Sequence, residues 1–289
     1  TNRNHHKSPG RFWFVEEWPE LRQRLLDKYY PSEKEINRIS QVYSQISSRV
    51  GELSNLDTEL VGSSSRNTFV SGLGDIDVFL MFPREVESSE LEKRGVAVGE
   101  EVFESFGVEH HVEYSEHPYV QGRLDGLDVE IVPCHDVESG VVKSSVDRSP
   151  HHSRWMRDNL TELQKEDIVL LKQMLDSAGL YGSSLKTRGF SGYLCELLVH
   201  QYGDLRSLLQ GSQDWSREMR TDPAGVDTGH GFESEFVVID PVDPERNVAA
   251  VLSEDNLARF MLLASDCERV PSAEFFEMDY REPASMAVR

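Results

Sequence analysis

The stretch VGSSSRNTFVSGLGDIDVFLMF, Val61 to Phe82, sets a Gly-Ser pair twelve residues ahead of Asp75-Ile76-Asp77, which runs straight into an apolar strand. Side chains alternate faces along a strand, so Asp75, Asp77 and Phe79 share one face while Ile76, Val78 and Leu80 bury the other. Two carboxylates side by side at a strand start repel each other unless a cation lies between them. Hard divalent ions such as Mg²⁺ take such oxygens and keep water and phosphate oxygens as their remaining ligands. Further along, Tyr119–Leu124 and Leu127–Val132 read as strands joined by Asp125-Gly126, a two-residue hairpin signal. Alternation then places Asp128 and Glu130 on one face, offering a third carboxylate on a neighbouring strand. Three acids holding two metals about 3.5–4 Å apart is the arrangement for in-line phosphoryl or nucleotidyl transfer. Upstream, Gly62-Ser63 lets the backbone approach a phosphate, Ser63 can donate to it, and Arg66 supplies a fixed positive fork.

The chain has 289 residues, a length that suggests two domains. No apolar run of about 18 residues exists to span a membrane, and the opening TNRNHHKSPGRFW has no signal-peptide pattern. It opens at Thr1 rather than Met, so a trimmed front is expected. Cys134, Cys195 and Cys267 are far apart and form no C-x-x-C pair, which fits buried free thiols in a reducing cytoplasm. Fifty-one acids against thirty bases give a net charge of −21, and only eight of the bases are lysine, leaving twenty-two arginines. The acids are dispersed rather than gathered in a tail. Acid-rich, lysine-poor chains suit concentrated salt, where screening within about 3 Å makes self-repulsion tolerable, so a halophilic protein is expected.

Ahead of the deciding stretch, SEKEINRISQVYSQISSRV carries a capping box, Ser32 with Glu35, and Ile36, Ile39, Tyr43, Ile46 and Val50 at helical spacing. SELEKRGVAVGEEVFESF reads as a further amphipathic helix, glycines notwithstanding. After Ser149-Pro150 the texture turns helical. NLTELQKEDIVLLKQMLDSAGLYG has a second capping box at Thr161 and Gln164 and an apolar stripe of Leu163, Val169 or Leu170, and Met174. FSGYLCELLVHQYGDLRSLLQGSQDW supplies one or two more helices, residues 216–235 read as a loop, and Ser253–Ala264 as a last helix. An α/β front half is thus followed by a mainly helical second half, with the boundary near residues 138–150.

GSSSRNTFVSGLGDIDVFLMF resembles the signature of the nucleotidyltransferase superfamily that includes polymerase β, poly(A) polymerases and oligoadenylate synthases. EHPYVQGRLDGLDVEIVPC, VDRSPHH, LLKQMLDSAGLYG, RGFSGYLCELLVHQYG and VVIDPVDPERNVAAVLSEDNLARF look like the archaeal, class I CCA-adding tRNA nucleotidyltransferases, in the family's order from about residue 58 to 265. The resemblance implies an α+β fold: a polymerase β-like head with a mixed or antiparallel sheet over residues 1–140, and a helical central domain over 141–265. It implies template-independent addition of C, C and A to the tRNA 3′ acceptor end from CTP and ATP, with two Mg²⁺. Asp75 and Asp77 match the family's metal ligands, and Glu130 its third carboxylate, usually Asp; Asp128 is the fallback. Ser63, Arg66, Ser149 (usually Thr), His152, Lys172 and Tyr181 match residues that grip the triphosphate. Arg246 matches an arginine that reads the incoming base, and Arg188 is a further candidate phosphate contact. Leu194, Leu197 and Leu198 are expected in the core; His110, His111 and His151 have no assigned role.

The family continues into a large RNA-binding region, which in this chain should be starting at residues 266–289. A truncated, separate or absent C-terminal region is therefore expected, and with it a homodimer or a separate chain as partner. RNA binding by so acidic a chain requires arginines gathered near the site, for which Arg148, Arg154, Arg157 and Arg188 are candidates. Two other functions compete: a tailless nucleotidyltransferase acting on another RNA or making an oligonucleotide, and a non-catalytic tRNA-binding homologue.

Overall fold

The computed structural model describes residues 17–114, 117–138, 144–216 and 218–277. Helices α1 (Trp18–Tyr29) and α2 (Glu33–Ser54) lead into β1 (Asp57–Val61). A one-turn 3₁₀ helix (Ser63–Ser65) precedes β2 (Ile76–Pro83), which is followed by α3 (Ser88–Ser105), β3 (His110–Tyr114), β4 (Pro118–Leu124) and β5 (Leu127–Asp136). These strands form a mixed sheet in the order β1-β2-β5-β4-β3, in which β2 and β5 run parallel and the other neighbours antiparallel.

The expected alternation decides what each sheet face does. Ile76, Val78, Leu80 and Phe82 of β2, with Val129 and Ile131 of β5, bury against Ile39, Val42, Ile46 and Val50 of α2 and Leu91, Val102 and Phe103 of α3. Ser32 and Glu35 form the capping box at the start of α2. The glycines of α3 are what lets it lie close: a Cβ on Gly95 would overlap the Pro133 ring, and one on Gly99 would sit 2.7 Å from Val120. Asp125 (φ 50°) and Gly126 (φ 74°) turn the β4–β5 hairpin as expected.

The second half contains α4 (Arg148–Asn159), α5 (Glu162–Ser177), α6 (Gly192–Tyr202), α7 (Leu205–Gly211), a small sheet of β6 (Arg220–Thr221), β7 (Val237–Asp240) and β8 (Asp243–Asn247), and then α8 (Glu254–Arg269) and α9 (Glu274–Glu277). Leu194, Leu197 and Leu198 are buried in its core, with Leu171, Met174, Leu175, Phe190 and Phe260. Although α1 precedes the sheet in the chain, its Leu21, Leu25 and Leu26 lie in this helical core, and so does Phe276 of α9. The Thr161–Gln164 capping box forms, but the stripe expected beside it needs correcting. Leu163, in the first turn of α5, is 66% exposed, while the polar Gln164 and Asp167 are buried and the apolar core of α5 starts at Ile168. The three cysteines are free and buried, and no helix among the described residues is long and apolar enough to cross a membrane. Residues 278–289, half of the expected start of a C-terminal region, lie outside the described residues.

Candidate active site

A cavity of about 240 Å³ opens where the second sheet face meets the helical half. Of the ten residues singled out from sequence, eight line it: Ser63, Arg66, Asp75, Asp77, Ser149, His152, Lys172 and Tyr181. The sheet contributes the carboxylates. Asp77 stands across from Val61 of β1 on one side and Glu130 of β5 on the other. Gly62, at φ 70°, must be glycine here, because a Cβ would overlap the Asp77 carboxylate. Burial, with the negative charges of Asp75 and Glu130, pushes the Asp77 carboxyl up to about 7. Burial likewise raises Asp75 and Glu130, and Asp75 adds to the rise at Glu130.

Such mutual repulsion is what a divalent cation relieves, and an all-oxygen donor set with a glycine-cleared approach suits a hard ion. Asp75 and Asp77 are the residues that would hold it, with Glu130 beside them. Glu130 does not line the cavity, and among the described residues no three acid, His or Cys side chains are gathered closely enough to clasp an ion by themselves. The fallback Asp128 is exposed and paired with Arg123 across the hairpin at 3.7 Å.

The opposite wall holds the cations, and here the structure adds a residue that sequence reasoning missed. Glu196 of α6 is fully buried and accepts from Arg66 Nη2 (2.9 Å), Lys172 Nζ (3.2 Å) and Thr68 Oγ1 (2.6 Å). Burial works against its charge, but Arg66, Lys172 and the Thr68 hydroxyl hold its carboxyl below the ordinary range. Arg66 also donates to Ser153 Oγ at 2.8 Å, while its buried Nε has no protein partner. Lys172 donates to the Thr68 carbonyl at 2.9 Å. The two expected phosphate grippers are therefore held in place from behind by one carboxylate. A lone acid within the apolar run LCELL was the only sequence signal for it.

His152, expected as a phosphate donor, lines the cavity and is held there by a buried acid. Its Nε2 bonds Asp240 Oδ2 at 2.8 Å, and its ring stacks on Tyr193 at 4.1 Å between centroids. Burial lowers its pKa despite Asp240, so near neutral pH it is the uncharged tautomer with the proton on Nε2 and an acceptor at Nδ1. Its Nε2–H donates to Asp240. Asp240, at the end of β7 and fully buried, also accepts from Tyr193 Oη (3.2 Å) and Arg246 Nη1 (2.9 Å). Arg246 does not line the cavity itself, but Asp240 ties it to the wall through His152 and Tyr193. Asp240 was not singled out from sequence.

Three of the four arginines expected to gather for RNA are spent on acids. Arg154 makes a two-pronged pair with Glu59, Arg157 lies 3.9 Å from the same residue, and Arg148 pairs with Asp243 at 3.2 Å. Arg188 lies outside the cavity, on a neighbouring cleft. His110 stacks on Phe103 and His111 meets Glu113, both away from the site.

Residues 39–152 match the nucleotidyltransferase domain family, and residues 166–277 match the family described as tRNA nucleotidyltransferase, second domain. The CCA-adding enzyme of Archaeoglobus fulgidus is 40% identical over 89% of this chain and 57% of its own length. That of Halorubrum lacusprofundi is 42% identical over 88% of this chain and 55% of its own. The chain thus spans a little over half the length of these relatives. Among solved structures, Cid1, described as an RNA terminal uridylyl transferase, superposes with a TM-score of 0.72 over 91% of this chain and 98% of its own, at 12% identity; that likeness shows a shared fold. With its carboxylate-bearing sheet followed by its helical half, the chain joins, in order, a nucleotidyltransferase domain and the second domain of a tRNA nucleotidyltransferase.

Proposed function

We propose that the chain extends the 3′ acceptor end of tRNA by C, C and A, using CTP and ATP, with two Mg²⁺ held by Asp75, Asp77 and Glu130. The observation that carries this reading is one cavity lined by Asp75 and Asp77 of the sheet together with Arg66, from the 3₁₀ turn after β1, and Lys172, from α5. The 3′ oxygen attacks the α-phosphorus, the bond to the bridging oxygen breaks, and pyrophosphate leaves with the electron pair. When bound, divalent ions supply acidification of the attacking hydroxyl and charge neutralisation of the triphosphate.

The protein's own groups do the rest. Arg66 and Lys172, aimed by Glu196, attract the triphosphate into the cavity, and Ser63 and Ser149 donate to its oxygens. Burial keeps the Tyr181 phenol protonated and so a donor. Gly192 leaves room beside it, since a Cβ there would stand 3.0 Å from Tyr181 Oη. Arg246 reads the base, oriented by Asp240, while His152 and Tyr193 hold Asp240 still. The reading places the reaction in a salt-rich cytoplasm, with tRNA selection assisted by a C-terminal region, a second copy or a separate chain.

Labelled CTP and ATP, offered with tRNAs ending before C, after one C and after two, test it in Mg²⁺ and concentrated KCl. Stepwise addition that stops after A, and is lost in Asp75→Ala/Asp77→Ala, supports the reading. Extension of other RNAs in preference to tRNA would instead select a nucleotidyltransferase with a different acceptor.

A further inference from the structure

Asp75 and Asp77 reach the cavity by different means. Asp77 is paired with Val61 on one side and Glu130 on the other. Asp75 precedes the first paired residue of β2, Ile76, so no strand ladder fixes it. Its backbone is set by Ser64 Oγ, which donates to the Asp75 carbonyl, and by the loop of residues 69–74 that delivers it. From Gly72 (φ 79°) the chain has only Leu73 and Gly74 to cross before Asp75. Gly74 lies against the core, since a Cβ there would stand 2.9 Å from the Phe69 ring and 3.0 Å from Ile39 Cδ1 of α2. So short a path has little slack, and a shift at Gly72 is passed on to Asp75.

The tip of this loop is tied down by the glutamate of the α2 capping box. A capping box uses one oxygen of its glutamate, and here Glu35 Oε2 accepts from Ser32 N–H (2.8 Å) and Ser32 Oγ (2.7 Å). The other oxygen serves the loop: Oε1 accepts from Gly72 N–H at 2.8 Å and from Ser71 Oγ at 2.9 Å. Burial works against the charge of Glu35, but the donors of Ser32, Gly72 and Ser71 hold its carboxyl down at about 2. The clamp therefore stays charged throughout the range in which Asp77 titrates. Ser71 N–H donates in turn to the Tyr29 carbonyl at 2.8 Å, and Leu73 N–H to that of Val70 at 2.9 Å. Tyr29 ends α1, which packs in the helical core, whereas Glu35 opens α2, which packs on the sheet. The tip is thus fixed against both halves at once.

We propose that Glu35 is a positioning residue for the carboxylate pair: through Ser71 and Gly72 it holds the loop in the path that sets Asp75 beside Asp77, so that the two acids are preformed for a divalent ion. The proposal rests on the nucleotidyl-transfer reading for what that ion does, but not for whether the pair is preformed.

Four proteins test it: wild type; Ser32→Ala, which strips the hydroxyl from the cap and leaves the clamp; Ser71→Ala, which removes one clamp bond; and Glu35→Ala, which removes both. Circular dichroism fixes a KCl range in which all four are folded. Amide hydrogen exchange of the metal-free proteins then reads the loop, and calorimetry reads Mn²⁺ affinity, with Asp75→Ala/Asp77→Ala as the blank. In Glu35→Ala the Gly72 amide is expected to exchange at least about tenfold faster, and Mn²⁺ to bind at least about fivefold more weakly. Ser71→Ala should fall between, and Ser32→Ala should stay within about twofold of wild type in both. In nucleotide addition to tRNA, kcat should fall in the order of Mn²⁺ affinity while KM for tRNA stays within about twofold. Equal loss of Mn²⁺ affinity in Ser32→Ala and Glu35→Ala overturns the proposal and leaves Glu35 a helix cap. Faster exchange with unchanged Mn²⁺ affinity overturns it too, as does a wild type that binds Mn²⁺ no better than the blank. Mn²⁺ affinity that follows the clamp, in a wild type that adds nothing to tRNA, upholds the positioning role and refutes CCA addition.

Discussion

Replacing Glu196 by Gln removes one negative charge from a fully buried site and leaves two cations behind. Arg66 keeps Ser153 Oγ and Ser65 Oγ as acceptors, and Lys172 keeps the Thr68 carbonyl, so most hydrogen bonds survive. What is lost is the counter-charge, and stripping one partner from a buried ion pair costs about 3–5 kcal/mol. The lower end applies because Gln fills the same space and still accepts through its carbonyl, giving about 3 kcal/mol. At about 2–4 °C per kcal/mol for a chain of this size, the melting temperature should fall by about 6–12 °C. Glu196 also competes with the triphosphate for the same two cations, so an anionic ligand should restore what the substitution removes. The rise in melting temperature on adding CTP should be larger in Glu196→Gln than in wild type, by several degrees. The assay is differential scanning fluorimetry at fixed KCl, with and without CTP. A variant that melts within about 2 °C of wild type, or gains no more from CTP, would refute the account of Glu196 as the buried counter-ion of the phosphate grippers.

Gly62→Ala should reduce nucleotide incorporation by about a hundredfold or more while costing only about 1–2 kcal/mol of stability, since the new methyl displaces the Asp77 carboxylate; rates and denaturant midpoints check it. The Asp77 carboxyl lies at about 7 against an ordinary 3.8, so the protonated form favours the folded, metal-free protein. Its contribution to stability is full below about 4 and is lost as pH rises through about 7. Divalent ions displace that proton, so Mn²⁺ affinity by calorimetry should fall as pH drops from 8 to 6, by up to about tenfold per unit below 7. Asp240→Asn should raise UTP and GTP misincorporation relative to CTP, because Arg246 loses its charged anchor; single-nucleotide extension assays decide. Gly95→Ala should destabilise the protein by about 1–3 kcal/mol through overpacking against Pro133, with incorporation per folded molecule unchanged.

The features legible in the sequence were those fixed by local periodicity and capping. Alternation around Asp75-Ile76-Asp77 showed which face is apolar, Ser32–Glu35 and Thr161–Gln164 marked two helix starts, and Asp125-Gly126 marked the hairpin. The sequence pattern also brought Glu130 to a strand next to Asp77, though only the parallel pairing of β2 with β5 shows the two in register. Three things had no local signature. Leu163 fits the helical stripe by spacing, yet it is exposed while the polar Gln164 and Asp167 beside it are buried. Glu196 and Asp240 act through partners 24 to 130 residues and 6 to 88 residues away, respectively. And the state of His152 follows from its bond to Asp240, since a histidine in VDRSPHH carries no mark of which nitrogen it will give away.

The site has a division of charge that bears on why both halves are needed. The sheet offers a wall of carboxylates that repel one another, and the helical half offers Lys172 along with Glu196, the acid that also holds Arg66. Arg66 is the exception in sequence: it leaves the 3₁₀ turn after β1 and crosses to Glu196 and to Ser153 on α4. Thr68 crosses the same boundary to Glu196, and Lys172 returns it by donating to the Thr68 carbonyl. The loop from Ser63 to Thr68 is therefore both the phosphate-facing edge of the sheet half and the seam that fixes it to α5 and α6. An unpaired charge at this seam is costly, so the network tolerates little slippage between carboxylates and cations. That rigidity suits the proposed reaction, in which the triphosphate would lie across the seam, with its α-phosphorus by Asp75 and Asp77 and its outer phosphates by Arg66 and Lys172. A motion of one half against the other would then have to break Arg66–Glu196, Thr68–Glu196 and Lys172–Thr68 together, which makes this network, rather than the carboxylates of the sheet, the place where opening of the cavity would be resisted.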